Sequence, residues 1–175
     1  MSIHSLVISF CLASFLQVSA QTKVPSAEEV LKPAYAKATA ENKKLMVIFH
    51  ASWCGWCKKM DASLADKSIQ PLINRDFIIT HLTVHESPGK KEMENPGAQQ
   101  LMDKHGGANQ GLPYWLVFDK NSTLLANSQY KPGENSGCPA SEEEVAYFIS
   151  VLQKTSSLNK EELELVRKRF RQNEQ

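Results

Sequence analysis

The chain has 175 residues, of which 42% are hydrophobic and 22% charged, and its formal net charge is +1. This length is sufficient for one domain with a real core. Both signs of charge are scattered along the chain, so nothing in the composition indicates a nucleic-acid partner or a strongly anionic surface as a partner. The chemistry of the chain must therefore be sought in its motifs.

Residues 1–20 have the character of a secretory signal peptide. An apolar stretch covers residues 6–16, and Val18-Ser19-Ala20 offers small residues for a cleavage site. The stretch is short for a membrane span, and the segment before it contains His4 but no Lys or Arg. An uncleaved N-terminal anchor is the alternative. Cleavage and export predict a periplasmic or secreted protein, in a compartment where disulfides persist.

Residues 21–42 are predicted to contain the first helix of the domain. Ser26 is a favoured N-cap residue, and two glutamates follow it in the first turn. The predicted apolar face of this helix consists of Val30, Leu31, Tyr35 and Ala36. The next apolar run, residues 45–49, is partly β-branched and predicts a buried strand.

Two cysteines follow that strand at the start of a second predicted helix. The segment Trp53-Cys54-Gly55-Trp56-Cys57-Lys58 leads into helix-forming residues that extend to about residue 66. The first sulfur of this Cys-x-x-Cys pair then lies at a helix N-terminus, where the macrodipole and free N–H groups stabilise a thiolate. Because the thiolate is the nucleophile of thiol–disulfide exchange, the arrangement predicts a redox-active pair.

The rest of the chain alternates between strand and helix signals. We predict a short helix or turn at 68–74, a strand at 77–84, a charged loop at 85–95, a helix from Pro96 to Gly106-Gly107, a strand at 114–118, a hairpin strand at 122–126, a loop at 130–139 and a helix that begins at Ser141. That last helix is predicted to bury Val145, Phe148, Ile149 and Leu152. The segment 155–175 is predicted to be a helical extension that caps the core through Phe170, with a dimer contact as the alternative. This order predicts an α/β sandwich with a mixed central sheet.

Residues 43–154 resemble the thioredoxin superfamily and form the predicted core of the domain. The resemblance rests on the apolar strand, on the Trp53–Lys58 junction, and on Gly111-Leu112-Pro113 before a strand that ends in Phe118-Asp119. More narrowly, the chain is similar to exported bacterial thioredoxin-like proteins that carry Cys-Gly-Trp-Cys. The resemblance implies a three-layer sandwich with a central mixed sheet flanked by helices, and a cis proline at Pro113 that faces the two sulfurs.

The resemblance also implies a role for each residue of the site. Cys54 attacks a substrate disulfide and Cys57 resolves the mixed disulfide, and the reversed steps oxidise a dithiol. No cofactor is expected. The expected partners are protein thiols and disulfides, together with a membrane-bound electron donor. The residues expected to bind substrate are Trp53, Gly55, Trp56, Leu112 and Pro113; packing around the helix start is the alternative for the two tryptophans.

Two departures from the family pattern concern the reaction itself. Thioredoxins carry a buried acid six residues before the first cysteine, where this chain has Ile48. Proton transfer at Cys57 must then use water, His81 or another group, although a half-buried, hydrogen-bonded role is the expectation for His81. Trp56 replaces the proline between the cysteines, so the direction of electron flow does not carry over; we expect a reductase. The long loop at 85–95 is expected near the site.

Other interpretations of the cysteines stay open. An inert structural bridge is the alternative to a redox pair, and a non-catalytic module that binds a client protein or peptide is the alternative to an enzyme. No second Cys-x-x-Cys and no His-x₃₋₅-His pair is present, so we expect no metal site. Cys138 is predicted to be a small buried residue, with an additional redox thiol or an intermolecular partner as the alternative.

Overall fold

The structure is a computed structural model that describes residues 23–174. The predicted signal peptide at 1–20 lies outside the described residues. No helix between residues 23 and 174 has the length and apolar character that crossing a membrane requires. The division of the chain into an N-terminal helix (21–42), a core (43–154) and an extension (155–175) stays a prediction.

A four-stranded sheet lies at the centre of the fold, in the order β2-β1-β3-β4. Its strands are β1 (Lys44–His50), β2 (Phe77–Thr83), β3 (Tyr114–Phe118) and β4 (Leu124–Asn127). β1 is parallel to β2 and antiparallel to β3, and β3 is antiparallel to β4. The predicted mixed sheet is therefore confirmed. The two central strands are almost wholly buried because both faces of the sheet are covered.

Helices cover the two faces of this sheet and complete the predicted three layers. They are α1 (Ala27–Ala40), α2 (Gly55–Leu64), α3 (Gln70–Asp76), α4 (Ala98–Met102), α5 (Glu142–Thr155) and α6 (Lys160–Arg171). The period-two alternation of β1 sorts its side chains between two cores. Met46 and Ile48 join a core with α2, α3, α5 and α6, whereas Leu45, Val47 and Phe49 join a core with α1 and α4.

Capping boxes fix the starts of the predicted first helix and of the helix after Ser141. The Ser26 side chain accepts a hydrogen bond from the backbone N–H of Glu29, and the Glu29 carboxylate accepts from the Ser26 N–H. Ser141 and Glu144 make the same pair at α5. Both predicted helix starts are confirmed.

The apolar faces of these helices follow the prediction with one exception. Leu31 is buried in α1 and Val30 and Tyr35 are half-buried, but Ala36 is exposed, while Ala27 and Ala38 are buried instead. The four predicted α5 residues are all buried. In α6, Phe170 is buried against Phe148 with ring centroids 4.8 Å apart, so it contributes to the core as predicted.

The predicted helix start at Pro96 is wrong. The Pro96 carbonyl accepts a hydrogen bond from the Ala27 N–H at 2.8 Å, which ties it to the start of α1. Gly97 then adopts a left-handed conformation with φ +87°, and α4 begins only at Ala98. The helical backbone continues from α4 to Lys104 and then breaks, since Gly106 is left-handed with φ +90°, so the segment does end near the predicted glycines.

The predicted loop at 130–139 contains a small hairpin that the sequence analysis missed. Its strands are β5 (Gln129–Lys131) and β6 (Glu134–Asn135), which pair antiparallel. Pro132 and Gly133 form the turn between them, and Gly133 has φ +79°. A Pro-Gly pair between two polar strands was the available signal. The earlier hairpin strand is confirmed, although it begins at Leu124 rather than Ser122.

Candidate active site

The two motif cysteines form a disulfide at the N-terminus of α2. The turn that leads from β1 into this helix is closed by a hydrogen bond from the Cys54 N–H to the Ala51 carbonyl at 3.0 Å. Cys54 is the N-cap residue, and the Cys57 N–H donates to its sulfur at 3.0 Å. A free backbone donor and the positive end of the helix dipole are thus directed at the Cys54 sulfur, which favours its thiolate in the reduced protein.

The disulfide is shielded from solvent on several sides. Cys54 is 2% exposed and Cys57 is 3% exposed, and both pack with Ala51 and Leu112. The Leu112–Pro113 peptide bond is cis, as the resemblance implies. The structure therefore brings the predicted segment at 112–113 to the predicted cysteine pair, although the two lie far apart in the sequence.

Two large exposed aromatic side chains flank the shielded disulfide. Trp53 is 55% exposed and Trp56 is 48% exposed, while Gly55 between the cysteines is also exposed. The Trp53 indole N–H donates to the His85 carbonyl at 2.8 Å. The ammonium of Lys59 lies 4.6 Å from the Trp56 ring centroid, within cation–π range. Neither indole is buried in the core, so both present apolar surface to solvent beside the sulfurs.

A groove of about 490 Å³ begins at Trp56 and passes Leu112 toward the segment at 135–140. Asn135 fixes its walls from the end of β6. The Asn135 amide donates to the Gly111 carbonyl at 2.8 Å and to the Pro113 carbonyl at 3.0 Å, and its oxygen accepts from the Gly137 N–H at 3.0 Å. Asn135 was not among the predicted site residues, because its position depends on the missed hairpin.

The loop at 85–95 lies against the active-site turn, as expected. Glu86 in this loop is only 3% exposed, and its carboxylate accepts hydrogen bonds from the Ser52 N–H at 2.5 Å and the Ser52 hydroxyl at 2.8 Å. Burial acts to raise the pKa of Glu86, but the hydrogen bonds from Ser52, the charge of Lys90 and a backbone hydrogen bond from Ser87 together hold that pKa below its usual range. Glu86 is therefore a buried carboxylate ion, and no sequence motif singled it out.

The histidine considered for proton transfer lies on β2 beside Ile48. His81 is half-buried, and its Nε2 lies 2.8 Å from a carboxylate oxygen of Asp61, which is four residues after Cys57 on α2. It is thus a hydrogen-bonded, half-buried histidine, as expected. The ring of His50 lies 5.1 Å from the His81 ring, and burial together with the neighbouring His81 lowers the pKa of His50.

Cys138 is buried, in agreement with its predicted role as a small core residue. It is 4% exposed, and burial raises the pKa of its thiol to about 12. The side-chain amide of Asn173 donates to the Cys138 sulfur at 3.4 Å and to the Pro139 carbonyl at 3.3 Å. The Ser63 hydroxyl of α2 donates to the oxygen of the same amide at 3.1 Å. Asn173 therefore connects the active-site helix to the base of the groove.

Between residues 23 and 174, no group of three or more His, Cys, Asp or Glu side chains is arranged to hold a metal ion. The chemistry of the described site comes from its sulfur atoms. A mixed sheet between two helical layers, with a disulfide at a helix N-terminus, defines the class of thioredoxin-like thiol–disulfide oxidoreductases.

Comparison with known proteins agrees with this class. The family model described as a thioredoxin-like domain matches residues 31–135, and the chain therefore belongs to the thioredoxin-like family. A crystal structure of a disulphide isomerase from Xylella fastidiosa Temecula1 is similar to it, with a TM-score of 0.52 and 21% identity over 72% of this chain and 88% of that chain. That comparison shows a shared fold.

Two further structures have lower scores. A DsbH oxidoreductase matches with a TM-score of 0.46 and 18% identity, over 90% of this chain and 96% of that chain. A thioredoxin from Thermus thermophilus also matches with a TM-score of 0.46 and 18% identity, over 75% of this chain and 85% of that chain.

Proposed function

We propose that the protein is an exported reductase of protein disulfides, with Cys54 as the nucleophile and Cys57 as the resolving thiol. The observation that carries the proposal is the hydrogen bond from the Cys57 N–H to the Cys54 sulfur at the start of α2. It supplies a donor for a thiolate at Cys54, and the thiolate is the reactive form in disulfide exchange.

The proposed reaction transfers two electrons to the substrate in two exchanges. The Cys54 thiolate attacks one sulfur of the substrate disulfide, whose S–S bond breaks and releases the other sulfur as a thiolate. The Cys57 thiolate then attacks the Cys54 sulfur in the mixed disulfide and releases the second substrate sulfur. The substrate takes up two protons as a dithiol, and the protein is left with the Cys54–Cys57 disulfide.

Substrate contact is proposed for the surface around the sulfurs. Trp53 and Trp56 offer exposed apolar area, while Leu112 packs directly on the disulfide pair. Gly55 is exposed and has no side chain to obstruct approach to the sulfurs, and the cis bond to Pro113 fixes the backbone at Leu112. We propose that these five residues contact an extended polypeptide segment, since Trp56 and Leu112 also line the open groove beside the disulfide.

The signal-peptide character of residues 1–20 supports export, and with it a periplasmic or secreted location. An exported reductase is left oxidised after each turnover and requires a source of electrons outside the cytosol. We propose a membrane-bound dithiol donor, which reduces the Cys54–Cys57 disulfide by the same two exchanges in reverse. The proposed partners are thus protein disulfides on one side and this donor on the other.

A trapping experiment tests the roles of the two cysteines. The Cys57→Ser variant, reduced with dithiothreitol and then mixed with a disulfide-bonded peptide, should accumulate a mixed disulfide at Cys54 that mass spectrometry detects. The Cys54→Ser variant is the matched control and should trap no peptide under the same conditions. Peptide reduction that survives Cys54→Ser contradicts the assignment of the nucleophile.

The reduction potential of the pair tests the direction. Equilibration in dithiothreitol and glutathione buffers should give a value near that of thioredoxin, about −270 mV. A value near −120 mV, as in a strong oxidant, contradicts the reductase proposal and makes the protein a disulfide donor. The absence of a reversible two-electron transition favours the second candidate, a non-catalytic module that uses the exposed tryptophans to bind a client chain.

A further inference from the structure

Glu86 is the only buried charged side chain among residues 23–174, with 3% of its surface exposed. Burying a carboxylate ion is expensive unless hydrogen bonds compensate for lost hydration. The bonds from Ser52 compensate here, but Glu86 takes part in none of the ion pairs found within the same range. This buried charge lies in direct contact with the active-site turn through Ser52, and a functional role would explain its position.

The carboxylate is fastened directly to the segment that carries Cys54. Ser52 precedes Cys54 by two residues, and the bond from the Cys54 N–H to the Ala51 carbonyl folds that segment into a turn. Two peptide units span at most about 7 Å, so the negative charge is held close to the helix start. The bond from Trp53 to the His85 carbonyl fixes the same loop from the other side.

The charged groups around Glu86 leave its charge largely uncancelled. Lys91 is paired with Glu94, whose carboxylate also accepts from the Glu86 N–H at 2.7 Å. Lys90 is exposed and attracts Glu86 only from solvent. His50 lies at the end of β1, and burial together with the neighbouring His81 lowers the pKa of its imidazole, which disfavours a positive charge there. Glu86 therefore contributes a negative charge beside the turn that no ion pair neutralises.

We propose that Glu86 is a positioning residue whose buried negative charge makes the Cys54/Cys57 pair a stronger reductant. This proposal rests on the proposed role of Cys54 as the thiolate. Reduction adds two electrons and two protons to an uncharged disulfide, and loss of one proton then places a negative charge on the Cys54 sulfur. A nearby carboxylate disfavours that thiolate but has little effect on the disulfide. A less stable reduced form gives up its electrons more readily. Strongly oxidising pairs show the opposite case, because their reduced form is stabilised.

The Glu86→Gln variant removes the charge and retains the shape, since a glutamine amide can still accept from the Ser52 N–H. In glutathione buffers at pH 8, its equilibrium constant should shift about tenfold toward the dithiol, which raises the potential by about 30 mV. In a Cys57→Ser background, alkylation of Cys54 should also persist to lower pH when Glu86 is replaced. Both readouts report on the Cys54 thiolate. The equilibrium constant reports its stability relative to the disulfide, and the pH dependence of alkylation reports its pKa.

Glu94→Gln is the matched control. Glu94 lies in the same loop and bonds to Glu86 and Lys91, but it makes no hydrogen bond to the active-site turn. Its replacement should change the equilibrium constant by less than about twofold. A potential that is unchanged or lower in Glu86→Gln, or one that rises equally in Glu94→Gln, overturns the proposal.

A second comparison covers the case in which Glu86→Gln does not fold. Glu86→Met combined with Ser52→Ala removes both side chains of the hydroxyl–carboxylate bond, so that of the two Ser52 donors only the N–H is left without its acceptor. Measured against Ser52→Ala alone, it should show the same rise in potential, and equality of the two overturns the proposal. The proposed function fails separately: a wild-type protein that reduces no peptide disulfide refutes the reductase, while a rise in Glu86→Gln still supports the effect of the charge.

Discussion

Replacement of Asn135 by Ala should destabilise the fold and slow disulfide exchange together. The change removes three hydrogen bonds, to the carbonyls of Gly111 and Pro113 and from the Gly137 N–H. At a net value of about 1 kcal/mol for each bond, and with Asn135 half-buried, the free energy of unfolding should fall by about 2–3 kcal/mol. For a domain of this size that corresponds to a melting temperature lower by about 5–10 °C.

Thermal unfolding of the oxidised protein, followed by circular dichroism, measures this effect. Gln110→Ala is the matched control, because Gln110 makes a single exposed hydrogen bond to the Gly133 carbonyl of the same hairpin. It should lower the melting temperature by no more than about 2 °C. The rate of peptide disulfide reduction should fall in Asn135→Ala, since Asn135 holds the backbone on both sides of Leu112. Equal melting temperatures in the two variants would refute the reasoning.

Three further predictions concern other parts of the molecule. In the native reduced protein at pH 8, iodoacetamide should leave Cys138 unlabelled, because a pKa of about 12 keeps its thiol protonated; labelling before unfolding by urea contradicts this. Ser141→Ala should cost about 1 kcal/mol in urea unfolding through loss of the α5 cap, and an unchanged midpoint speaks against the capping argument. Trp53→Phe should release the His85 carbonyl and accelerate trypsin cleavage at Lys90, whereas wild-type cleavage rates would show that the indole bond does not hold the loop.

Local signals in the sequence were sufficient for most of the fold. The start of α5 depends on Ser141 and Glu144, which lie within one turn of each other, and its buried face follows from helical spacing. The cysteine pair and the strand before it form another local pattern, which the family resemblance linked to Leu112 and Pro113. In these cases the information lies within a few neighbouring residues or in a known motif.

The features that the sequence did not reveal depend on contacts between distant segments. Pro96 is a good first helical residue on its own, but its carbonyl serves the start of α1. Glu86 is an ordinary loop glutamate until Ser52 meets its carboxylate, and Asn135 acquires its role only when β6 lies beside Gly111. Neither spacing nor composition identifies these partners. The sequence therefore predicted the two cysteines of the site but not the residues that hold the surrounding segments in place.

Asn173 gives the site a particular order of assembly. A ribosome delivers Cys54 and Cys57 long before it delivers the short turn after α6 that carries Asn173, yet that amide bonds to Ser63 of α2 and to Cys138. Until the end of synthesis the cysteine pair therefore exists without the last support of the groove beside it. An oxidant that acts on the incomplete chain would find the two motif thiols and Cys138 all accessible, because Cys138 is covered only after the C-terminal residues have folded against it. Correct pairing of the three thiols is thus a matter of timing as well as of geometry.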